Sequence, residues 1–269
     1  MDKKISVENL HFSYTEEEEV LKGISLEFDH RSTAIIGQNG AGKTTFVKLL
    51  KGILKPKIGD IIINGKNTRE ATVAELAGEI GLVFQNPNDQ IFKGKVIDEV
   101  MFGPLNIGQD EDTARDNALK ALKMLDIADK QEINPYDLTL SDRKLVTIAS
   151  ILAMDTAIII LDEPTIAQDY AGKEKIKGLI KDLSKQGKLV LTIIHDMDFV
   201  AETFERTVVF NEGRVLLDSN TRDVYSQEAV LKDAYLEPPH VTQLCHKLGA
   251  QNTFLTVEEF LEYKKAKTM

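Results

Sequence analysis

The sequence predicts an α/β fold built on a mixed, largely parallel core sheet, and three observations carry that prediction. The apolar run Thr33-Ala34-Ile35-Ile36 passes through a glycine-rich turn into a helical stretch carrying Phe46, Val47, Leu49 and Leu50. Two later runs, Ala157-Ile158-Ile159-Ile160-Leu161 and Leu189-Val190-Leu191-Thr192-Ile193-Ile194, are unbroken and apolar, as strands buried on both faces are. Each of the three ends in residues that carry chemistry.

Taken in order, Ile5–Leu10 and Ile24–Phe28 alternate apolar and polar and read as two antiparallel strands; Thr15 and the four glutamates after it form their solvated hairpin loop. Tyr14 just before that loop is either a surface strand tyrosine or an aromatic placed to stack on a base. Ile61-Ile62-Ile63 before Asn64-Gly65 makes another strand ending in a hairpin turn. Leu82-Val83-Phe84 reads as a short buried strand ending at Gln85, and Asn86–Gln90 as a loop. From about Val96 to Ala153 the pattern is helical, within an inserted subdomain over about 88–153, with breaks expected at Gly103-Pro104, Gly108 and Pro135; the Ala114, Ala118, Ala121, Leu122 and Leu125 stripe is its clearest helix. A helix from about Lys173 to Lys185 stops at Gly187. Thr207–Phe210 and Arg214–Leu217 close the core as a hairpin. The chain therefore divides into a domain over 1–220, with a helical insertion, and a polar helical extension over 221–269, where Thr256-x-x-Glu259 opens the last helix as a capping box.

Gly37-Gln38-Asn39-Gly40-Ala41-Gly42-Lys43-Thr44 fits the phosphate-loop pattern in the strand–turn–helix context that the motif needs. Gly37, Gly40 and Gly42 let backbone N–H groups from Asn39 onward curl round a phosphate, and a side chain at Gly42 would block that approach. The helix N-terminus adds partial positive charge, Lys43 reaches the outer phosphates, and Thr44, followed by Thr45, offers a hydroxyl to Mg²⁺. In parallel sheets ligands bind beyond the carboxyl ends of the strands, so Gln85, Asp162-Glu163 and His195 should converge on this loop. Asp162 and Gln85 then suit the metal, Glu163 the attacking water, and His195 the γ-phosphate. The net charge of −10 argues against a nucleic-acid partner. No apolar run approaches the ~18 residues of a membrane span, and no signal segment follows Met1-Asp2-Lys3-Lys4. The single cysteine, Cys245, excludes an internal disulfide. A cytosolic protein is expected.

The order of phosphate loop, strand-ending Gln85, helical insertion, Asp162-Glu163-Pro164-Thr165 and strand-ending His195 resembles the P-loop ATP-binding cassette (ABC) ATPases over residues 1 to about 220. Phe84–Phe92 with Glu99–Pro104 is similar, more narrowly, to the ATPase subunits of energy-coupling factor transporters. That resemblance implies ATP and Mg²⁺ as ligands and uptake of a vitamin or transition-metal ion. It also implies a location at the cytoplasmic membrane face beside a transmembrane coupling subunit, docked near Gln85 to Phe102, and a substrate-binding membrane subunit. It makes Tyr14 the adenine-stacking aromatic, Asp169 the acid of the loop after Thr165, Gln90 part of a short helix facing the membrane subunit, and the tail a dimerisation region.

The family closes each site with a Leu-Ser-Gly-Gly-Gln signature from the opposite subunit. Aligned without a gap, this chain has Leu138-Thr139-Leu140-Ser141-Asp142, and Ile166-Ala167-Gln168 stands where Ser-Gly-Leu is usual. Thr139 and Ser141 keep hydroxyls for a partner's ATP, but both glycines are lost. A homodimer would hold two impaired sites, so a heterodimer with a second homologous ATPase is expected. The rival expectations are a cassette ATPase unconnected with transport and a weakly hydrolysing regulatory subunit.

Overall fold

The computed structural model describes residues 4–250 and 252–268, with side chains to 266. Met1-Asp2-Lys3, next to the predicted absence of a signal segment, lies outside the described residues, as do Gln251 and Met269 of the extension.

Strands β1 (Ile5–Ser13) and β2 (Glu19–Phe28) form the expected antiparallel hairpin, with the glutamates exposed in its loop. β3 (Thr33–Gly37) leads through the glycine-rich turn into α1 (Lys43–Leu50). β4 (Ile58–Ile63) and β5 (Lys66–Asn67) flank a turn in which Asn64 and Gly65 both have positive φ, as the sequence predicts. After α2 (Val73–Ala77), β6 spans Ile80–Val83. It ends one residue before Phe84, which is exposed instead of buried because it has already left the sheet.

The insertion contains α3 (Val96–Asn106), α4 (Glu111–Met124) and α5 (Leu140–Ala153). The break expected at Gly103-Pro104 is absent: α3 runs through both residues. Pro104 stands in the last turn, so its missing N–H costs a single bond to the Val100 carbonyl. Gly103 is there for packing, since a Cβ would stand 2.8 Å from Met154 Sδ.

The parallel core continues with β7 (Ile158–Asp162), α6 (Tyr170–Lys185), β8 (Leu189–Ile193) and α7 (Met197–Thr203), then β9 (Arg206–Asn211) and β10 (Arg214–Asn220). α6 begins earlier than expected because the Asp169 carboxylate caps it, accepting from Gly172 N at 2.8 Å. The large sheet has the order β10-β9-β3-β8-β7-β6, parallel except for β10, and the small antiparallel sheet the order β2-β1-β4-β5.

The unbroken apolar runs have a simple cause. Ile158 and Ile160 face the core shared with the small sheet and α1, while Ile159 and Leu161 face the core shared with the insertion. Ile35, Leu191 and Phe210 alternate with Ala34, Val190 and Val209 in the same way.

The tail comprises α8 (Thr221–Ser226), α9 (Glu228–Asp233), α10 (His240–Lys247) and α11 (Val257–Thr268). It does not separate at residue 220, because Val224, Tyr225 and Leu231 join the insertion-side core; only Val241, Cys245 and Phe254 start a cluster of their own. Thr256 Oγ1 accepts from Glu259 N at 3.2 Å. The Glu259 carboxylate, however, goes to Leu255 N and Arg222, so the capping box is half formed and ties α11 to α8.

Candidate nucleotide site

The C-terminal ends of β3, β6, β7 and β8 share one edge of the large sheet because the strands run parallel. The loops leaving them enclose a cavity of about 310 Å³. Gln85, Asp162, Glu163 and His195 all reach it, as the sequence predicts, and the phosphate loop brings Asn39, Gly40 and Gly42 through Thr45. Val20 from β2, Ala41 and Ile193 line it too and were not foreseen.

Gly42 is the N-cap of α1, with φ +96 and no side-chain cap, and no acidic residue stands in the first turn. That helix end is left open for an anion. The fold adds a reason of its own for glycine here: a Cβ at Gly42 would stand 2.6 Å from Leu21 Cδ2, on the β2 side. Gly37 is tighter, because its Cβ would meet the Phe210 carbonyl oxygen at 2.3 Å. Gly37 lies beneath the cavity instead of lining it, and the buried Lys43 Nζ donates to its carbonyl at 2.7 Å and to that of Gln38 at 2.9 Å. Burial lowers the Lys43 pKa, opposed by the charges of Glu163 and Asp162.

Glu163 follows β7 with φ +49, its N–H donating to Ile193 O at 3.0 Å. This left-handed turn aims a buried carboxyl into the cavity. Oε1 has no hydrogen-bond partner among the described residues, although His195 Nε2 lies 3.1 Å away. Burial, then the neighbouring Asp162, pushes the Glu163 pKa up to about 7, where a general base works best at neutral pH. Burial also raises Asp162, against the charges of Lys144 and Lys43. Burial and Lys43 hold His195 below its usual value, so its imidazole is neutral near pH 7.

The residues fit a magnesium nucleotide. The open helix end and Lys43 suit phosphates, and the orphaned Glu163 Oε1 suits a water. Among the described residues no cluster of three or more His, Cys, Asp or Glu is placed to hold a metal. A cation here would rest on Thr44, Gln85 and Asp162 together with phosphate oxygens, the donor set Mg²⁺ favours.

Tyr14 is 58% exposed and does not line the cavity. It stands at the rim, its hydroxyl 3.2 Å from Thr45 Oγ1 and its ring edge-on to Phe12. Gln90 faces inward, with Oε1 accepting from Phe84 N and Nε2 donating to Thr147 O and Ser150 Oγ of α5. Its side chain is thus bonded within the chain, at the end of the short helix Pro87–Asp89.

Thr139 and Ser141 do not line the cavity, and both hydroxyls are committed. Thr139 caps α5, accepting from Asp142 N and donating to Asp142 Oδ2, both at 3.1 Å, and Lys130 Nζ pairs with Asp142 at 2.6 Å. Ser141 Oγ donates to Gln168 Oε1 at 3.0 Å, while Gln168 Nε2 donates to Ser141 O at 3.1 Å. Two departures from the family pattern, 27 residues apart, are therefore bonded to each other. Leu140 and Ile166 stand exposed beside them, at 45% and 42%.

Comparison with known proteins agrees with this geometry. A family model described as ABC transporter matches residues 21–166. An ABC transporter ATP-binding protein of Pyrococcus furiosus is 38% identical over 96% of this chain and 98% of its own. Another, from Caldanaerobacter subterraneus, is 36% identical over 98% of this chain, which spans only 46% of that relative. Among solved structures, CbiO1 of Clostridium perfringens, described as part of the ABC transporter complex CbiONQ, superposes with TM-score 0.78 and 33% identity over 91% of this chain and all of that one. The cassette MJ0796, as a dimer in a post-hydrolysis state with ADP and Pi, gives TM-score 0.74 and 28% identity over 81% of this chain and 99% of its own.

Proposed function

The chain belongs to the ABC transporter family, and on that premise we propose that it is an ATPase subunit of an energy-coupling factor type importer, paired with a second, different cassette. Membership makes it the ATP-binding, ATP-hydrolysing subunit of a transporter, one that uses Mg²⁺, dimerises and works with a transmembrane partner. The importer type rests on one observation: the likeness to CbiO1 extends over that whole chain at 33% identity. Uptake of a vitamin or a transition-metal ion belongs to this reading, a separate membrane subunit choosing the substrate. So does the role of the extension after residue 220 in dimerisation.

In this proposal Lys43 leaves the Gly37 and Gln38 carbonyls for the outer phosphates. Asp162, Thr44 and Gln85 would hold Mg²⁺, which when bound would neutralise phosphate charge. Glu163 takes the proton of the attacking water, and neutral His195 donates to the γ-phosphate. Tyr14 stacks on the adenine. A cavity of about 370 Å³ beside the site, lined by Ile53, Phe84, Asn86 and Asp89, adjoins the segment on which exposed Phe92 and Phe102 pack edge to face. That surface suits the transmembrane coupling subunit. Among the described residues no helix is long and apolar enough to cross a membrane, so attachment to its cytoplasmic face runs through this partner.

The heterodimer rests on the Thr139–Asp142 segment, whose two hydroxyls are bonded within the chain and whose Asp142 sets a negative charge in the first turn of α5. The Caldanaerobacter relative, about twice as long, has room for a second cassette in the same chain. The same segment favours a second reading, a regulatory subunit that hydrolyses little. ATP turnover measured for the purified chain alone, and mixed with a cassette carrying an intact signature, separates the possibilities. The heterodimer predicts slow turnover alone and roughly tenfold or greater stimulation on mixing. Brisk turnover alone contradicts it, and no stimulation by a partner that binds supports the regulatory subunit.

A further inference from the structure

A lysine buried between α5 and the catalytic sheet edge has no part in the reading above. Lys144, in the second turn of α5, is 1% exposed. Its ammonium donates to three backbone carbonyls: Phe84 at 2.7 Å, Gln85 at 3.0 Å and Asp162 at 2.8 Å. All three protons are used and none goes to a carboxylate. Phe84 and Gln85 lie beyond the last ladder pair of β6 with β7, Val83 with Leu161, so the neighbouring strand does not serve their carbonyls. Burying an ammonium costs free energy that a methionine of similar length would not. What the charge supplies is location, because one atom joins the chain leaving β6 to the end of β7.

The clamp is doubled on the opposite side of Phe84. Gln90 Oε1 accepts from Phe84 N at 3.0 Å, and Gln90 Nε2 reaches Thr147 O at 3.3 Å and Ser150 Oγ at 3.2 Å, further along α5. The segment carrying Gln85 is thus seated on α5 through both the N–H and the carbonyl of Phe84.

We propose that Lys144 is a positioning residue for the nucleotide site: by binding the carbonyls of Gln85 and Asp162 to α5, it sets the spacing of the two residues that share the Mg²⁺. The inference rests on the reading of Gln85 and Asp162 as metal-holding residues. It also makes the site depend on the seat of the helical insertion, since Lys144 moves with α5. Lys144 touches neither nucleotide nor metal; it acts through the backbone of residues that do.

The test uses the full-length chain. Nucleotide affinity is measured without metal, using a fluorescent ATP analogue in chelator, and Mn²⁺ binding to the ATP-loaded chain by electron paramagnetic resonance. Lys144→Met keeps the apolar stem and loses all three donors, and should weaken Mn²⁺ binding by about tenfold or more with metal-free ATP affinity held within about twofold. Lys144→Arg, which keeps charge and donors, should recover Mn²⁺ affinity to within about threefold of the parent. A folded Lys144→Met chain with parental Mn²⁺ affinity overturns the proposal, however far its melting temperature falls. If Lys144→Met does not fold, Lys144→Gln, with two donors on a shorter stem, is read in the same way. Asp162→Asn separates the two readings: if it leaves Mn²⁺ affinity intact, the metal assignment itself fails, whereas loss there beside parental affinity in Lys144→Met rejects only the role of Lys144.

Discussion

The phosphate-loop half of the molecule and the Leu138–Asp142 half treat their polar groups in opposite ways. In the first, α1 begins with no side-chain cap, Lys43 bonds only backbone carbonyls, and Glu163 Oε1 is buried without a partner. In the second, Thr139 caps α5, Asp142 pairs with Lys130, and Ser141 and Gln168 satisfy each other. A buried polar group without a partner costs about 1–3 kcal/mol, and a surface that keeps such groups is prepared for a ligand that supplies the missing bonds. A surface that has already satisfied them gains little from an anion. The contrast supports the proposed function, in which the open half is the competent half-site.

The largest effect expected from the open half is on turnover. Glu163→Gln keeps the shape of the side chain and removes the base, so kcat should fall by roughly 10²- to 10⁴-fold while ATP affinity stays within about threefold of the parent. Steady-state hydrolysis and equilibrium nucleotide binding check this. A collapse of ATP binding would place Glu163 among the binding groups and remove the contrast between a poised base and a self-satisfied surface.

Much of the open half was legible because its signals are local. Each strand end follows an apolar run that alternates between two cores, and the glycine spacing of the phosphate loop is contiguous. Other features depend on distant residues. The left-handed backbone at Glu163 follows from its bond to Ile193 O, and the role of Lys144 from carbonyls at Phe84, Gln85 and Asp162. A lysine at the start of an apolar helical stretch was the one available sign. The pairing of Ser141 with Gln168 spans 27 residues, so the sequence shows two separate irregularities where the fold has one contact. Pro104 misled for the opposite reason: its local signal is strong, but near a helix end it removes only one bond.

A smaller effect concerns stability. Burial holds the Glu163 pKa near 7, above the ordinary carboxylate value of 4.5. Ionising it therefore costs the folded state free energy, a cost absent below the unfolded pKa, growing as pH rises, and complete above about 7. In the absence of nucleotide, Glu163→Gln should stabilise the chain by roughly 3 kcal/mol near pH 8, and the gain should nearly vanish near pH 4.5. Denaturant midpoints of parent and variant at the two pH values test this, with most contributions from His195 and Asp162 cancelling in the difference. A gain independent of pH would assign the strain to shape and not to the buried charge.

The smallest effect belongs to the closed half. Ser141→Ala removes the hydroxyl that donates to Gln168 Oε1, while Gln168→Leu removes that acceptor and also the donor to Ser141 O. Each alone should cost about 1 kcal/mol, and the double variant should cost less than the sum by roughly 0.5–1 kcal/mol, because the shared bond is lost only once. A double-mutant cycle by urea denaturation measures this coupling, and m-values unchanged across the four proteins would show that the comparison is between like states. Strict additivity would mean that the two departures are independent and that the closed half is not closed by their contact. Coupling of the expected size, together with unchanged turnover in a heterodimer whose competent site uses Lys43 and Glu163, would mean that Ser141 and Gln168 serve the architecture of this chain and not a partner's nucleotide.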